Sequence, residues 1–391
     1  MQDKNIMNLI GLQDINVLNV ENIDQVKYIY IELFKVIPVC PKCNCSKSHI
    51  HDYYKQKIKD IPILGMKTIL VLNKRRYKCV NCGKRHYEKV PFLGKYQRMT
   101  MRLILYISAK LKEQRSLKNI CHELKISHTP IYTILKELAV GINELPEVLC
   151  IDEFKGNSNG HKYHLSIVDG KNNKILDILE TRTKDNIEKY FRKFSKKQRE
   201  SVRYFITDMY KPYKNLVKLF PNATLIIDKY HYIRQIMWAF ENVRKRRQKK
   251  MNKDLRIYFK RSKSLLKKPY NSLNSEEKIQ VDTMLWYDDE IRQAYNIKEN
   301  YYSIFLKSKT YDEAKSNLSN WLLRAENTNL KEYKEAVKSH INWRVGILNS
   351  FTVRYTNGVT EGFNNKIKVL KRLSYGFRNF ENFRKRILLL A

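Results

Sequence analysis

Two cysteine pairs, Cys40-Pro-Lys-Cys43 and Cys79-Val-Asn-Cys82-Gly83, constrain the first part of this chain more than any other feature. A Cys-x-x-Cys turn aims two thiolates at one tetrahedral centre, and two such turns supply the four ligands of a structural zinc ion. Gly83 suits the tight turn that the second pair needs. The gap between the pairs is longer than in the shortest zinc ribbons and has room for a hairpin. Cys45, His49 and His86 stand close by as substitute ligands. Cys121 and Cys150 fall on apolar faces and read as core residues. Seven cysteines in a chain without a secretory leader do not argue for disulfides.

The chain has 391 residues, enough for two or three domains, and 43% of them are hydrophobic, which excludes whole-chain disorder. Against 39 acidic residues stand 76 Lys and Arg, a net charge of +37. Such self-repulsion calls for a polyanionic partner, and nucleic acid is the default because phosphate contacts release condensed counterions. Residues Met1 to Asn8 lack the apolar core of a signal peptide, and no run reaches the roughly 18 apolar residues of a membrane span. The expectation is a cytoplasmic protein, nucleoid-associated when on DNA, with no membrane partner.

The organisation reads as multidomain α/β. Residues 1–95 hold the cysteines and short strand-like runs such as Thr68–Leu72. Residues 96–145 are helical in period: Leu103, Ile107 and Leu111 share one face. Within them, Ser116 to Leu124 reads as one helix, Lys125-Ile126 as a turn, and Ser127 as the N-cap of a second helix with Pro130 in its first turn. Ile131, Ile134, Leu135 and Leu138 would face inward. The spacing fits a helix-turn-helix, with His128, Thr129, Tyr132 and Thr133 exposed to touch DNA.

Residues 146–391 form the third part, interrupted by a basic, all-helical insertion at about 250–345. All four tryptophans lie in or just before that insertion, which suggests an aromatic core of its own. Ahead of it come strands at Val148–Phe154, Lys162–Asp169 and Lys174–Leu179. A helix at Asp185–Lys197, a strand at Tyr204–Thr207, a helix to Phe220 and a strand at Thr224–Ile227 follow.

Acids stand at the strand ends: Asp152 closes the first strand and Asp208 a later one, while Glu361 opens a terminal helix. Acidic groups at strand ends gather along one edge of an α/β sheet. Three of them can hold two divalent cations of the kind that activate a water or 3′-hydroxyl and stabilise a leaving phosphate oxygen. The order strand-strand-strand-helix-strand-helix-strand-helix is the pattern of a ribonuclease H-like fold. Glu361, Asn365 and Lys368 share a helical stripe suited to metal and phosphate together.

These residues resemble DDE transposases of the ISL-three insertion-sequence family over nearly the whole chain. The most specific strings are Ile151-Asp152-Glu153-Phe154, Ile227-Asp228-Lys229-Tyr230-His231 and Glu361-Gly362-Phe363-Asn364-Asn365-Lys366-Ile367-Lys368, with Tyr375-Gly376-Phe377-Arg378-Asn379 as the tail. The resemblance implies a catalytic triad of Asp152, Asp208 and Glu361, with Asp228 as the other reading of the second acid. It implies that Asp228 and His231 brace the site or touch DNA. It further implies Mg²⁺ or Mn²⁺, in a pair, beside the structural Zn²⁺. The expected partners are transposon-end DNA, target DNA and a second copy of the chain. The expected activity is binding of terminal inverted repeats, strand cleavage and strand transfer. Two other readings stay open: a catalytically inactive DNA-binding regulator, and a structure-selective nuclease.

Overall fold

The computed structural model describes residues 11–138 and 141–390; the Met1–Asn8 stretch lies outside them. The chain divides into two compact units, residues 1–140 with 367–391, and residues 141–366.

The first unit opens with an antiparallel hairpin of β1 (Ile15–Ile23) and β2 (Val26–Leu33), turned by Asp24 and Gln25, both at positive φ. A second, longer hairpin, β3 (Ser48–Ile63) and β4 (Met66–Cys79), fills the gap between the cysteine pairs. Its two-residue turn puts Leu64 and Gly65 at φ 53° and 73°, the left-handed geometry that matches strand twist. Strand β4 pairs in parallel with β2 along Lys67–Leu72 and antiparallel with β5 (Arg85–Tyr87) beyond it. The sheet therefore runs β1-β2-β4-β3 with β5 added on β4. Ile29, Ile31, Ile58, Leu70 and Leu72 form its buried face.

Three helices follow: α1 (Met101–Lys110), α2 (Leu117–Leu124) and α3 (His128–Leu138). Leu103, Ile107 and Leu111 are fully buried and share one core with Ile120, Cys121, Leu124, Ile131, Ile134 and Leu135. Ser116 Oγ caps α2 by accepting the Asn119 N–H at 3.1 Å, and Lys125 ends it in the left-handed conformation. Leu138, expected to face inward, is 38% exposed: it lies at the helix end, outside the cluster that Ile131, Ile134 and Leu135 join.

The second unit is built on β6 (Val148–Ser158), β7 (His161–Asp169), β8 (Lys174–Leu179), α4 (Lys184–Phe191), α5 (Lys196–Glu200), β9 (Tyr204–Thr207), α6 (Lys211–Leu216) and β10 (Thr224–Ile227). The sheet order is β10-β9-β6-β7-β8. Strands β10, β9 and β6 are parallel, while β7 and β8 add on antiparallel. The single helix expected over Asp185–Lys197 is two. It ends at Phe191, and Ser195 with Gln198 forms a capping box that starts α5, a local signal strong enough to begin a new helix. Ile187, Phe191 and Phe194 still reach the core.

The rest of this unit is helical: α7 (Lys229–Gln248), α8 (Lys253–Arg261), α9 (Lys263–Lys267), α10 (Ser275–Tyr287), α11 (Asp289–Ser303), α12 (Tyr311–Asn327), α13 (Lys331–Asn342) and α14 (Arg344–Asn349). Tyr301, Phe305, Trp321, Tyr333 and Trp343 are buried in one core. An aromatic core is present, but it is not the insertion's own, since Ile227 of β10 and Tyr232 and Phe240 of α7 belong to it. It uses two of the four tryptophans, Trp286 and Trp238 being 75% and 53% exposed. The positive charge of α7 is partly neutralised locally. Arg246 pairs with Glu332 and Glu290, and Arg247 with Asp288 and Glu290, at 2.5–2.7 Å.

Two helices close the chain, α15 (Gly358–Leu373) and α16 (Phe380–Leu388). Arg386, on α16, is fully buried within the first unit and donates to the main-chain carbonyls of Leu111, Glu113 and Arg115. Among the described residues, no helix is long and apolar enough to cross a membrane.

Candidate active site and metal centre

The four predicted cysteines converge. Cys40 Sγ lies 3.6 Å from Cys82 Sγ, Cys43 Sγ lies 3.6 Å from Cys79 Sγ, and all four sulfurs fall within 4.8 Å of one another. A tetrahedron with ~2.3 Å Zn–S arms has edges of about 3.8 Å, so the set fits zinc. The two knuckles share one backbone pattern. Asn44 N–H donates to Cys40 O at 3.0 Å, and Gly83 N–H donates to Cys79 O at 3.1 Å. Asn44 and Gly83 both stand at positive φ, so Asn44 fills in the first knuckle the place glycine takes in the second. The Cys82 N–H holds the Cys79 thiol down to about 6, and the Lys42 N–H lowers that of Cys40. These two shifts favour the thiolate, whereas Cys82, despite the Lys84 N–H, is pushed up to about 12 by burial and the three neighbouring thiols, so all four ionise together only around a bound metal. The substitute ligands are not required: Cys45 Sγ sits 3.8 Å from Lys47 O, and His86 stacks on Tyr77.

The acids are set by strand register. Cys150 pairs with Ile206 in the parallel ladder of β6 and β9, and Ile227 pairs with Thr207 in that of β10 and β9. Continuing both ladders sets Asp152, Asp208 and Asp228 in one row across three neighbouring strands, which are spaced about 4.8 Å apart. Burial pushes Asp152 up to about 7, and the charges of Asp208, Glu153 and Asp228 add to the shift. Burial also pushes Asp208 up to about 6, against the pull of Arg234 and Arg182. Buried carboxylates crowded in this way ionise readily only beside added positive charge. An all-oxygen set suits a hard divalent cation.

Three further residues, Asn364, Glu153 and Asn357, fix this edge. Asn364, on α15, donates to Asp152 Oδ2 at 2.9 Å while accepting from Ser166 Oγ at 3.3 Å. Glu153, the neighbour of Asp152, accepts from Tyr213 at 2.8 Å and pairs with Arg182. Asp228, buried and raised by that burial, accepts the Asn357 N–H at 3.1 Å. Asn357 Nδ2 in turn donates to Ile151 O at 3.4 Å. The start of α15 is thereby tied to the strand that carries Asp152. Glu361 lies in the exposed first turn of α15, one turn before Asn364, and its charge acts on His231. Burial, with Arg234 adding to it, lowers His231 to about 4, so it is neutral. Among the described residues, the four cysteines alone bring three or more ligand atoms within 4.8 Å of one another; Asp152, Asp208 and Glu361 are not drawn together to that degree.

The family model described as transposase, of the ISL3 type with a DDE site, matches residues 149–387. The chain belongs to the ISL3 family of DDE transposases. A second family model, the zinc finger of transposases IS204/IS1001/IS1096/IS1165, matches residues 38–82, which hold all four clustered cysteines. The transposase for insertion sequence element IS1001 from Bordetella parapertussis is 24% identical over 364 residues, covering 91% of this chain and 89% of that protein. This transposase therefore carries a zinc-ribbon domain and belongs to a family that acts on DNA with divalent metal. The other residues expected to touch DNA also have definite places. His128, Thr129, Tyr132 and Thr133 are exposed on α3, with the His128 and Tyr132 rings stacked at 6.4 Å. His128 and Tyr132 line a groove of about 750 Å³ shared with Lys118, Arg372, Tyr375 and Arg378. Lys368 and Asn365 are exposed on α15.

Sequence reasoning missed Asn364, Glu153 and Asn357. Asn364 was legible only as part of a motif. Its neighbour Asn365 completes the i, i+4 stripe from Glu361, whereas Asn364 at i+3 is the residue that turns toward the sheet.

Proposed function

We propose that this chain binds the terminal inverted repeats of its insertion sequence, cleaves the DNA strands there and joins them to target DNA. On this reading the second unit is ribonuclease H-like, α2 and α3 form a helix-turn-helix, and the triad is Asp152, Asp208 and Glu361. The order β10-β9-β6-β7-β8, with Asp152, Asp208 and Asp228 just beyond the last paired residues of its parallel ladders, supports it most, although β6 itself continues past Asp152 to Ser158. Asp152, Asp208 and Glu361 would hold divalent cations, Mg²⁺ or Mn²⁺. When bound, such ions supply an activated water or 3′-hydroxyl and offset charge on the leaving oxygen.

The chain's own residues do the positioning. Asn364 orients one oxygen of Asp152, and the Glu153 N–H holds the other at 2.7 Å. Tyr210 N–H holds Asp208 Oδ1 at 3.0 Å. Asp228 braces α15 through Asn357 and so sets where Glu361 stands; this favours bracing over direct catalysis for Asp228. Neutral His231 lies beside Glu361 without competing for it as a counter-ion. Exposed residues of α3 and Lys368 contact the DNA backbone and bases, and two copies of the chain pair two element ends.

The test compares end binding with strand cleavage in Mg²⁺ for the unaltered protein and Asp152→Ala. Loss of cleavage with binding kept supports the enzyme. Absence of cleavage by the unaltered protein on its own element's ends would leave a DNA-binding regulator instead.

A further inference from the structure

Helix α7 carries Tyr230, Arg234 and Trp238 at successive i, i+4 positions, which places them along one face. Both rings are more than half exposed, 55% for Tyr230 and 53% for Trp238. The Arg234 guanidinium carbon lies 4.7 Å from the Trp238 ring centroid and 5.5 Å from that of Tyr230. Its Nε is buried and has no hydrogen-bond partner. Farther along the same helix, Arg244, Arg246 and Arg247 are all ion-paired. Arg234 is placed differently: it lies in the second turn of the helix that Asp228 caps, so this face starts at the carboxylate row, and its charge acts on Asp208 and His231.

An arginine packed between two rings is common on helix surfaces. That alone does not account for two large aromatics left in solvent beside a carboxylate row, nor for a buried, unpartnered guanidinium nitrogen. A phosphate would satisfy Arg234 but leave both ring faces without a role. A base paired inside a duplex cannot present its face to a side chain, whereas an unpaired one can.

We propose that Tyr230, Arg234 and Trp238 form a stacking platform for an unpaired nucleobase of the DNA strand being processed. Trp238 covers the base face and Arg234 meets the adjoining phosphate. This rests on the DNA-processing reading above and deepens it: the substrate at this edge is a strand locally out of its duplex.

The test uses the full-length zinc-loaded protein without added Mg²⁺, so that binding is read and cleavage is not. The probe is a DNA hairpin whose short single-stranded overhang carries 2-aminopurine; a blunt hairpin serves as control. The unaltered protein quenches the overhang fluorescence. Trp238→Ala loses the quench and binds the overhang probe roughly tenfold more weakly, with blunt-hairpin affinity unchanged, and Trp238→Phe keeps most of both signals. Equal quenching and affinity in Trp238→Ala would overturn the proposal, as would an equal loss on both probes. Failure of Mg²⁺-dependent cleavage in a separate assay would count against the enzyme reading and leave this result readable.

Discussion

The side-chain amide of Asn364 donates to Asp152 Oδ2 at 2.9 Å, joining residues 212 positions apart in sequence. With the Asn357–Ile151 bond, that contact holds α15 against the strand that carries Asp152. It engages both ends of the amide, since Ser166 donates to its oxygen. Partners that orient a metal ligand typically change activity roughly 10–100-fold when removed. Asn364→Ala should therefore lower single-turnover cleavage by about that factor with end binding intact. Asn364→Asp should do at least as much harm, because it sets a second carboxylate against Asp152. Unaltered rates in both variants would remove Asn364 from the site.

The cysteine geometry predicts one zinc per chain held by four thiolates. Cys79→Ser or Cys40→Ser should lose the metal and the thermal stability of the N-terminal sheet, because binding energy at such a site is folding energy. Cys45→Ser and Cys121→Ser should keep it. Zinc content by elemental analysis decides this, and loss of zinc in Cys45→Ser would redraw the ligand set.

His340 predicts an acid sensitivity of the helical region. Its Nδ1–H donates to Ala336 O at 2.7 Å and its Nε2 accepts from Tyr301 at 2.8 Å; the second contact needs the neutral ring, because a protonated Nε2 cannot accept. Burial lowers it to about 4 from an ordinary 6.5. The unfolded chain takes up the proton first. The stability is therefore complete above pH 6.5 and drains away as pH falls toward 4, by about 3 kcal/mol in order of magnitude. Urea unfolding of the unaltered protein and His340→Gln across that window checks it. The variant should be weaker at neutral pH and flatter in its pH dependence.

Arg386 predicts a role for the C-terminal helix in the first unit. A fully buried guanidinium serves three carbonyls just past α1 and in the loop beyond; its removal takes that donor from Leu111 and Arg115, while Glu113 O keeps the Arg115 N–H at 2.9 Å. Arg386→Ala should destabilise that unit by about 3 kcal/mol. Limited proteolysis should then open the α1–α3 segment first; a cleavage pattern like that of the unaltered protein would contradict this.

Much of this arrangement was legible in the sequence because it depends on local rules. Cysteine spacing set the metal ligands. Apolar runs ending in Asp152 and Asp208 marked two strands of one sheet, and Ser116 and Lys125 marked a helix start and stop. What was not legible depends on long-range choices. No period announces that β4 shares one edge between β2 and β5, or that α16 returns to α1 through Arg386. The stripe from Glu361 to Asn365 and the contact of Asn364 differ by one residue on a helix, about 100° of rotation, and only the position of the sheet distinguishes them. Tryptophan reads as core by composition. Trp238 and Trp286 lie instead on outward faces of their helices, 53% and 75% exposed.

Glu361 is expected to join Asp152 and Asp208 on the same divalent cations, although it is itself exposed in the first turn of α15. Metal-specificity rescue tests this most directly. Glu361→Cys should cleave element ends poorly in Mg²⁺ and regain cleavage in Mn²⁺, because a thiolate binds the softer ion better, whereas Glu361→Ala should respond to neither. A Glu361→Cys variant that is equally active in both ions, or equally dead in both while still binding DNA and zinc, would contradict the account.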